Sequence, residues 1–374
     1  MPWHLIGFFY YAYVGMQIPV GLLFDRFSVR WLLTSMIALC ALGCFLFSWS
    51  HTLFLASLAR FMMGLGAAFA FVGALKIVSL WFPSHRFGLL AGLTQAVGMF
   101  GAALGQMPMA YLVGKVGWRT TLQLIAGVML VLAATIALLV RDRTLQIVNS
   151  GLKATVGHTP WSGLCVVLQN PQSWWNALFA GLLYAPTAAL AELWGVKFFS
   201  QTYHLSNEVA AMAVGLIFIG WGIGGPLTGW LSDRLQRRRI ILILSALFSL
   251  FFASLILFVP QLPLMLLFTS LFLYGVANTG VATAYAVASE INPLSVSGTS
   301  VAFANMVSIM VGAAFQPLIG ALLEKNWTGA LSNEGVPIYS AADFHSALLI
   351  IIFSLVAALS VAFFIRETHG QRTP

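Results

Sequence analysis

The chain has 374 residues, of which 60% are hydrophobic and only 7% carry a formal charge. Soluble domains have about 25% charged residues, so this composition excludes a water-soluble globular fold. A net charge of +8 is compatible with a nucleic-acid partner only if the basic residues form one patch. They lie instead one to four at a time between long apolar runs, as in the loops of membrane proteins. We therefore expect a multi-pass protein of the lipid bilayer with no nucleic-acid partner.

Eleven apolar runs are long enough to cross a hydrocarbon core, which takes about 20 residues per helix. In chain order they cover 3–24, 30–48, 53–80, 87–113, 118–140, 174–201, 207–231, 239–259, 262–288, 297–323 and 344–365. The runs are continuously apolar, whereas the strands of a membrane barrel alternate polar and apolar residues. The sequence predicts an all-α membrane protein with about 11 transmembrane helices.

The longest polar stretch lies between Arg141 and Ser173 and separates five spans from six. We predict an N-terminal bundle of five spans over 1–140, a cytoplasmic linker over 141–173 and a C-terminal bundle of six spans over 174–374. Basic residues are distributed unevenly between the two sets of loops. One set contains Arg26, Arg30, Arg86, Arg141, Arg143, Lys153, Arg234, Arg237, Arg238, Arg239, Arg366 and Arg372, and the other contains Lys115, Arg119 and Lys325.

Cytoplasmic loops of membrane proteins are enriched in Lys and Arg, so the first set of loops is predicted to be cytoplasmic, together with the C-terminus. Met1 then lies outside, and we expect residence in a bacterial inner (plasma) membrane. The N-terminal sequence has no pattern of a cleavable signal peptide. Arg238 and Arg239 are expected only to follow this charge rule.

Neither an enzyme nor a metal protein is indicated. The three cysteines, Cys40, Cys44 and Cys165, give no disulfide framework, and no Cys/His cluster has the spacing of metal ligands. No Ser/His/Asp set, paired carboxylates, HExxH motif or phosphate-binding loop is present. We therefore predict no catalytic residues, no metal and no cofactor.

A six-residue pattern, G-x-L-x-D-R, occurs twice. It covers Gly21–Arg26 and Gly229–Arg234, and each copy ends a span on the same predicted side. The residues that define it are Gly21, Asp25, Arg26 and the following Arg30 in the first copy, and Gly229, Asp233 and Arg234 in the second. Internal repeats of this kind are typical of transporter folds.

These residues resemble the loop signature of the major facilitator superfamily, which follows the second helix and recurs after the eighth. The resemblance implies two six-helix bundles that rock about a site between them. The copy at Gly229–Arg234 follows the second span of the C-terminal half. The copy at Gly21–Arg26 follows the first span of the N-terminal half. We therefore expect the family's first helix to be missing from this sequence, which a start codon assigned too far downstream explains at least as well as a true loss.

The two aspartates of the pattern end helices, where the negative end of the helix dipole disfavours a carboxylate, so they need partners. In the family such an aspartate caps the start of a helix in the opposite bundle and pairs with an arginine. The resemblance implies that Asp25 meets the start of the span at 297 and that Asp233 meets the start of the span at 87. These residues are the predicted gating motif.

Four charged residues within spans are candidates for substrate binding or coupling, because charges at membrane depth are costly. They are Arg60, Lys76, Glu192 and Lys197. Arg60 begins a segment with Gly64 and Gly66 that resembles the family's fourth-helix motif, which implies a role in proton coupling or anion binding. We expect an ion pair between Arg60 and Glu192 near the outer gate, with Glu192 as the protonatable member. Lys197 is expected to reach the outer interface, whereas Lys76 either reaches the inner interface or faces the cavity.

Polar and aromatic residues within spans are expected to line the path, although any one of them is equally compatible with packing. They are Tyr13, Gln17, Gln95, Tyr184, Trp194, Trp221, Asn278 and Asn305, together with Tyr285 and Gln316. The leading hypothesis is a monomeric secondary transporter that takes up a small organic solute, anionic or zwitterionic, by alternating access with protons as the coupling ion. Two alternatives stay open: a proton-driven exporter, and a non-transporting scaffold or receptor derived from a transporter.

Overall fold

The computed structural model describes residues 4–104, 107–141, 162–259, 262–327, 329 and 339–372. Within these ranges the chain forms α-helices and no strand. The helices are α1 (His4–Arg26), α2 (Val29–Ser48), α3 (Leu53–Trp81), α4 (Phe87–Leu104), α5 (Met107–Val116), α6 (Trp118–Leu139), α7 (Ser162–Gln169), α8 (Pro171–Ala189), α9 (Gly195–Thr202), α10 (Asn207–Leu235), α11 (Arg238–Phe258), α12 (Leu264–Asn278), α13 (Gly280–Glu290), α14 (Ser297–Asn326) and α15 (Ala341–Ala362).

Nine segments of the described chain are helical, long and apolar enough to cross a membrane. Large apolar side chains cover the outside of these helices: Phe54 is 78% exposed, Leu138 77% and Met265 85%. Exposed apolar surface on this scale indicates a lipid-facing protein. The predicted multi-pass all-α fold is confirmed, whereas the count of eleven spans stays a prediction.

The helices pack in two groups, although the largest cluster of buried apolar residues includes Leu75, Val78, Phe87 and Ala91 of the N-terminal half. In the N-terminal half, α1 and α2 pack on α3, and α2 packs on α6. In the C-terminal half, α8 packs on α14 and α15, while α11 packs on α12 and α15. The most extensive contacts between these groups are those of α1 with α14 and of α4 with α10, and α3 with α14 and α4 with α13 also meet. The predicted domain boundaries at 140 and 174 stay a prediction. Of the predicted linker, 142–161 lies outside the described residues and 162–169 forms α7.

Two spans depart from regular α-helix. Residues Leu190–Trp194 form a π-helical turn between α8 and α9. Between α12 and α13 the helix is interrupted at Thr279, and the hydroxyl of Ser245 accepts a bond from the Gly280 amide at 3.0 Å and donates one to the Ala277 carbonyl. Because no water is available in the bilayer core, backbone groups freed by an interruption need such side-chain partners.

The C-terminal segment crosses the end of the bundle where α1 and α10 finish. There the Glu367 carboxylate accepts bonds from the amides of Arg238 and Arg239, at 2.6 and 3.1 Å. Farther along, the Arg372 guanidinium donates to the Ser79 carbonyl at the end of α3, at 2.9 Å. The segment therefore joins helices of both halves. We call this end the arginine-rich face, since Arg26, Arg234 and Arg238 lie on it.

Candidate functional site

The first seam between the halves is the contact of α1 with α14. At its end Asp25 accepts bonds from the backbone amides of Gly298 and Thr299, each at 2.8 Å, and from the Thr299 hydroxyl at 2.6 Å. A carboxylate at a helix N-terminus binds free N–H groups at the positive end of the dipole. A side chain at Gly21 would lie 2.7 Å from the Ala302 Cβ, so only glycine allows this approach. The predicted contact of Asp25 with the start of the span at 297 is confirmed.

The cation that neutralises Asp25 is Lys76 of α3. Its Nζ lies 2.6 Å from Asp25 Oδ1 and donates to the Ser297 hydroxyl at 3.0 Å. The sequence analysis expected Lys76 either to reach the inner interface or to face the cavity. Both alternatives are wrong, because Lys76 is only 6% exposed and is not among the residues that line the cavity. The expectation of an arginine partner is wrong here, because α3 brings Lys76 beside Asp25 while the Arg30 guanidinium lies 4.9 Å from the ring of Trp31.

The second seam is the contact of α4 with α10, and it repeats the arrangement of the first. Asp233 accepts bonds from the amides of Gly88 at 3.1 Å and Leu89 at 2.7 Å. A side chain at Gly229 would overlap the carbonyl oxygen of Gly88. The predicted contact of Asp233 with the start of the span at 87 is therefore confirmed as well.

The partner of Asp233 is Arg238 and not the adjacent Arg234, whose guanidinium lies 5.2 Å from the Trp230 ring. Arg238 is fully buried and pairs with both Asp233 and the fully buried Glu290, the latter at 2.8 Å. The expectation that Arg238 only follows the charge rule is wrong. Sequence reasoning missed it because its two acidic partners come from different helices.

Between the two seams lies a cavity of about 210 Å³. Eleven residues line it: Tyr13, Phe71, Gln95, Met99, Tyr184, Trp221, Val281, Tyr285, Asn305, Ser308 and Ile309. The structure thus brings together most of the polar and aromatic residues predicted to line the path. Among these lining residues, none is a Lys, Arg, Asp or Glu. Tyr13 lies twelve residues before Asp25 on α1, about 18 Å along the helix, so the cavity is far from the arginine-rich face.

One side of the cavity is tied across the first seam by a chain of hydrogen bonds. The Tyr285 hydroxyl donates to Asn305 Oδ1 at 2.9 Å, and Asn305 Nδ2 donates to Gln17 Oε1 at 2.9 Å. Gln17 is fully buried and is not among the residues that line the cavity, contrary to the expectation for it. Gln17 instead ends this series of hydrogen bonds on the α1 side of the seam.

Glu192 lies in the π-helical turn between α8 and α9. Turns of this kind often occur at functional sites. The Tyr184 hydroxyl donates to its Oε1 at 2.6 Å and Gln316 Nε2 donates to its Oε2 at 3.2 Å. Through Tyr184, which lines the cavity, Glu192 is connected to the cavity wall. Trp194 supports the same group, since its Nε1 donates to the Gln316 carbonyl at 3.0 Å.

The predicted ion pair between Arg60 and Glu192 is wrong for this conformation. The Arg60 guanidinium lies 5.8 Å from the rings of both Phe9 and Phe47, within the N-terminal half. Both oxygens of Glu192 bind other donors. Counting residues along the two spans predicts similar depths for Arg60 and Glu192 but does not predict the directions of their side chains. Lys197 lies 5.8 Å from the Trp194 ring and is exposed, as expected for a residue at the outer end of its span.

Asn278 was predicted to line the path, but it is fully buried inside the C-terminal half. Its Nδ2 donates to the Leu183 carbonyl at 2.9 Å and its Oδ1 accepts from the Thr187 hydroxyl at 3.0 Å. The interruption at Thr279 follows directly and places Asn278 against α8. Its amide therefore binds a backbone carbonyl and a hydroxyl of α8 and does not line the cavity.

The lining residues that sequence reasoning missed are Phe71, Met99, Val281, Ser308 and Ile309, whose side chains are mostly apolar. Four of these five residues are apolar, so no polar or charged side chain within a span marked those four in the sequence. No group of three His, Cys, Asp or Glu side chains that could hold a metal ion occurs in the described ranges.

Comparisons with known proteins agree with this architecture. A model of the Major Facilitator Superfamily matches residues 3–317 and 198–374. The chain is 25% identical over 341 residues to the "Uncharacterized transporter YybO" of Bacillus subtilis, covering 86% of this chain and 76% of that protein. It is 22% identical over 244 residues to the "Probable sulfoacetate transporter SauU" of Cupriavidus necator, covering 62% and 55%.

Among solved structures, the chain is similar to the transporter FucP in an outward conformation, with a TM-score of 0.76 and 17% identity over 98% of this chain and 90% of that one. At this level of identity the likeness supports the fold alone. Together with the family model, which matches well over half of the chain, these observations give one assignment. The chain belongs to the major facilitator superfamily, a family of membrane transporters and not of enzymes.

Proposed function

We propose that the chain is a secondary transporter that takes up a small organic solute, anionic or zwitterionic, by alternating access coupled to protons. The observation that carries the proposal is the cavity between two seams that are both closed on the arginine-rich face. A path from this cavity to that face exists only if both seams separate, which is the motion that alternating access requires.

The two closed seams have the chemistry of a reversible contact. Each is held at its end by an aspartate bound to N–H groups at a helix start, and each aspartate is neutralised by one buried cation. Such contacts are strong when dry and are replaced by water when exposed. A rocking motion can therefore break both seams without unfolding either half.

Glu192 is the proposed proton site because it is the acidic residue connected to the cavity wall. In its charged form it only accepts hydrogen bonds, and Tyr184 and Gln316 both donate to it. Protonation would turn one oxygen into a donor, and these bonds would have to rearrange. Because the Tyr184 ring forms part of the cavity wall, the protonation state would then change the shape of the binding site.

The proposed charge of the solute rests on Arg60 and Lys197, which lie in the parts of their spans predicted to be outer. Cations near an entrance raise the local concentration of anions and their rate of association. The similarity to SauU, described as a "Probable sulfoacetate transporter", is consistent with an organic anion. In the proposed orientation the arginine-rich face and the C-terminus are cytoplasmic, in a bacterial inner membrane, and the protein acts as a monomer.

The test uses purified full-length protein in liposomes with sulfoacetate and D-glucarate as labelled probes. An inward proton gradient should drive accumulation of a probe by the wild type. Glu192→Gln should abolish this accumulation but retain exchange of labelled for unlabelled probe. Glu208→Gln, which changes an exposed acid at the start of α10, serves as the matched control and should behave like the wild type.

An unchanged proton dependence in Glu192→Gln would rule out Glu192 as the coupling residue. Export of probe against the direction of the proton gradient would favour the exporter. Absence of any exchange by the wild type with all organic anions tested would favour a scaffold or receptor.

A further inference from the structure

In both seams the contacting residues are spaced four apart along the helix, and the next residue in each series lines the cavity. On α1, Asp25, Gly21 and Gln17 lie four residues apart and meet α14 in turn. On α10, Asp233, Gly229 and Gly225 have the same spacing and meet α4 in turn. One step further, Tyr13 and Trp221 both line the cavity.

Positions on the two facing helices, α14 and α4, also correspond to each other. Asn305 lies six residues after Thr299, and Gln95 lies six residues after Leu89, where Thr299 and Leu89 donate equivalent amide bonds to the two aspartates. Asn305 and Gln95 are therefore equivalent amides in the two seams. Both of them line the cavity.

The two amides differ in what opposes them. Asn305 faces Gln17 and uses both ends of its amide, since it accepts from Tyr285 and donates to Gln17. The position that corresponds to Gln17 on α10 is Gly225, which packs directly against the backbone of Gly92 and has no side chain to offer. Among the described residues, the Gln95 amide consequently has no hydrogen-bond partner.

A second residue that lines the cavity also has a polar group without a partner. Trp221 is fully buried, and its Nε1 has no hydrogen-bond acceptor within the described part of the chain. Its ring packs edge-on against Tyr184 at 6.1 Å. Buried indole N–H groups almost always find an acceptor, so an orphan donor beside a cavity indicates a place for a ligand.

We propose that Gln95 and Trp221 bind a hydroxyl group of the transported solute, and that the solute belongs to the class of small polyhydroxylated organic compounds. This inference rests on the proposed function, because it assigns the substrate of the same cavity. A primary amide offers a donor and an acceptor, and an indole offers a donor only. A hydroxyl group, which donates once and accepts twice, satisfies both of them.

A carboxylate would not satisfy the hydrogen-bonding groups of Gln95 and Trp221. It only accepts hydrogen bonds, so it would leave the carbonyl oxygen of Gln95 unmatched. None of the lining residues is cationic, and burial of an unpaired carboxylate is costly. An acidic group of the solute therefore has to lie outside the pocket made by Gln95 and Trp221, and the hydroxyl-bearing part lies inside it.

The test compares solutes that differ only in hydroxyl groups. D-glucarate is paired with adipate, and D-mannitol with 1,6-hexanediol, because the members of each pair share chain length and charge. Binding to the purified full chain is measured by thermal stabilisation and by equilibrium binding. The hydroxylated member of at least one pair should bind, and its partner should bind at least tenfold more weakly.

The decisive variant is Gln95→Leu, which keeps the size of the side chain and removes its amide. It should weaken binding of the hydroxylated solute by about tenfold or more, since it leaves a buried hydroxyl unsatisfied. Gln123→Leu is the matched control, because Gln123 on α6 contacts Ser48 and not the cavity. Both variants should keep the melting temperature of the ligand-free wild type, which shows that they fold.

Three outcomes would overturn the inference: equal binding of the two members of each pair, binding by Gln95→Leu as tight as by the wild type, and no binding of any hydroxylated solute. The readout needs neither a proton gradient nor turnover. Hydroxyl-dependent binding without proton-driven uptake would therefore contradict the proposed function alone. Proton-driven uptake of adipate with no preference for D-glucarate would contradict this inference alone.

Discussion

Replacing Asp25 with asparagine should open the arginine-rich face of the protein. The side chain keeps its size, but one of its oxygens becomes an NH₂ group that cannot accept a bond. The bonds that Oδ2 accepts from the Thr299 amide and hydroxyl are lost, and so is the charge opposite Lys76. Hydrogen bonds to charged groups contribute about 1.5–3 kcal/mol each, so the seam should lose roughly 3–5 kcal/mol.

A loss of this size has a large effect on the conformational equilibrium. About 1.4 kcal/mol changes an equilibrium tenfold, so the open form should gain at least a hundredfold relative to the closed form. The change is measured with Ser308→Cys, which places a thiol on the cavity wall, in a chain whose exposed Cys165 is replaced by serine. A membrane-impermeant thiol reagent is added only to the arginine-rich side of membrane vesicles, and Asp25→Asn should react about a hundredfold faster.

The matched control is Asp343→Asn. Asp343 also accepts a backbone amide at a helix start, from Ser340 at 2.8 Å, but it lies in the cap of α15 and in neither seam. This variant loses a comparable bond and should leave the labelling rate unchanged. Equal rates for Asp25→Asn and its parent, or an equal increase with Asp343→Asn, would refute the reasoning.

Two further predictions follow from the same seams. Arg238→Met should destabilise the folded protein by about 3–5 kcal/mol, because it leaves two buried carboxylates without their cation, and a simultaneous Glu290→Gln should restore part of the loss. Thermal unfolding of the purified variants measures this, and a melting curve like that of the wild type would contradict it. Gly21→Leu should prevent closure of the first seam, because its side chain would overlap Ala302, and thiol labelling at position 308 should then be fast whether or not Asp25 is intact. Slow labelling in this variant would show that the closed seam accommodates the leucine, which would contradict the prediction.

The contacts of the two aspartates were predictable because both copies of the motif resemble the family's loop signature. That resemblance implies which helix starts the aspartates meet, and the free N–H groups of a helix start explain why an acid lies there. The cation beside Asp25 was not predictable in this way. Lys76 is 51 residues away on another helix, and only the packing of α1 on α3 brings it close.

Depth along a helix is readable from sequence, but rotation about its axis is less so. Arg60 and Glu192 have similar depths, yet they point toward different neighbours. Asn278 illustrates a second limit. A polar residue inside a span favours a wet path, but the Asn278 amide, just before the interruption at Thr279, binds the Leu183 carbonyl of α8 inside the bundle. Interruptions of this kind depend on side chains from other helices, such as Ser245.

The position of Arg372 has a consequence for biosynthesis. Its bond to the Ser79 carbonyl joins the last described residue of the chain to a helix that is made when only a fifth of the sequence has been translated. Glu367 likewise reaches its amide partners on α11 only after the final span has been inserted. The tail therefore has to emerge from the ribosome before this face of the protein is sealed, so newly inserted chains should pass through a stage in which that face is still open to water.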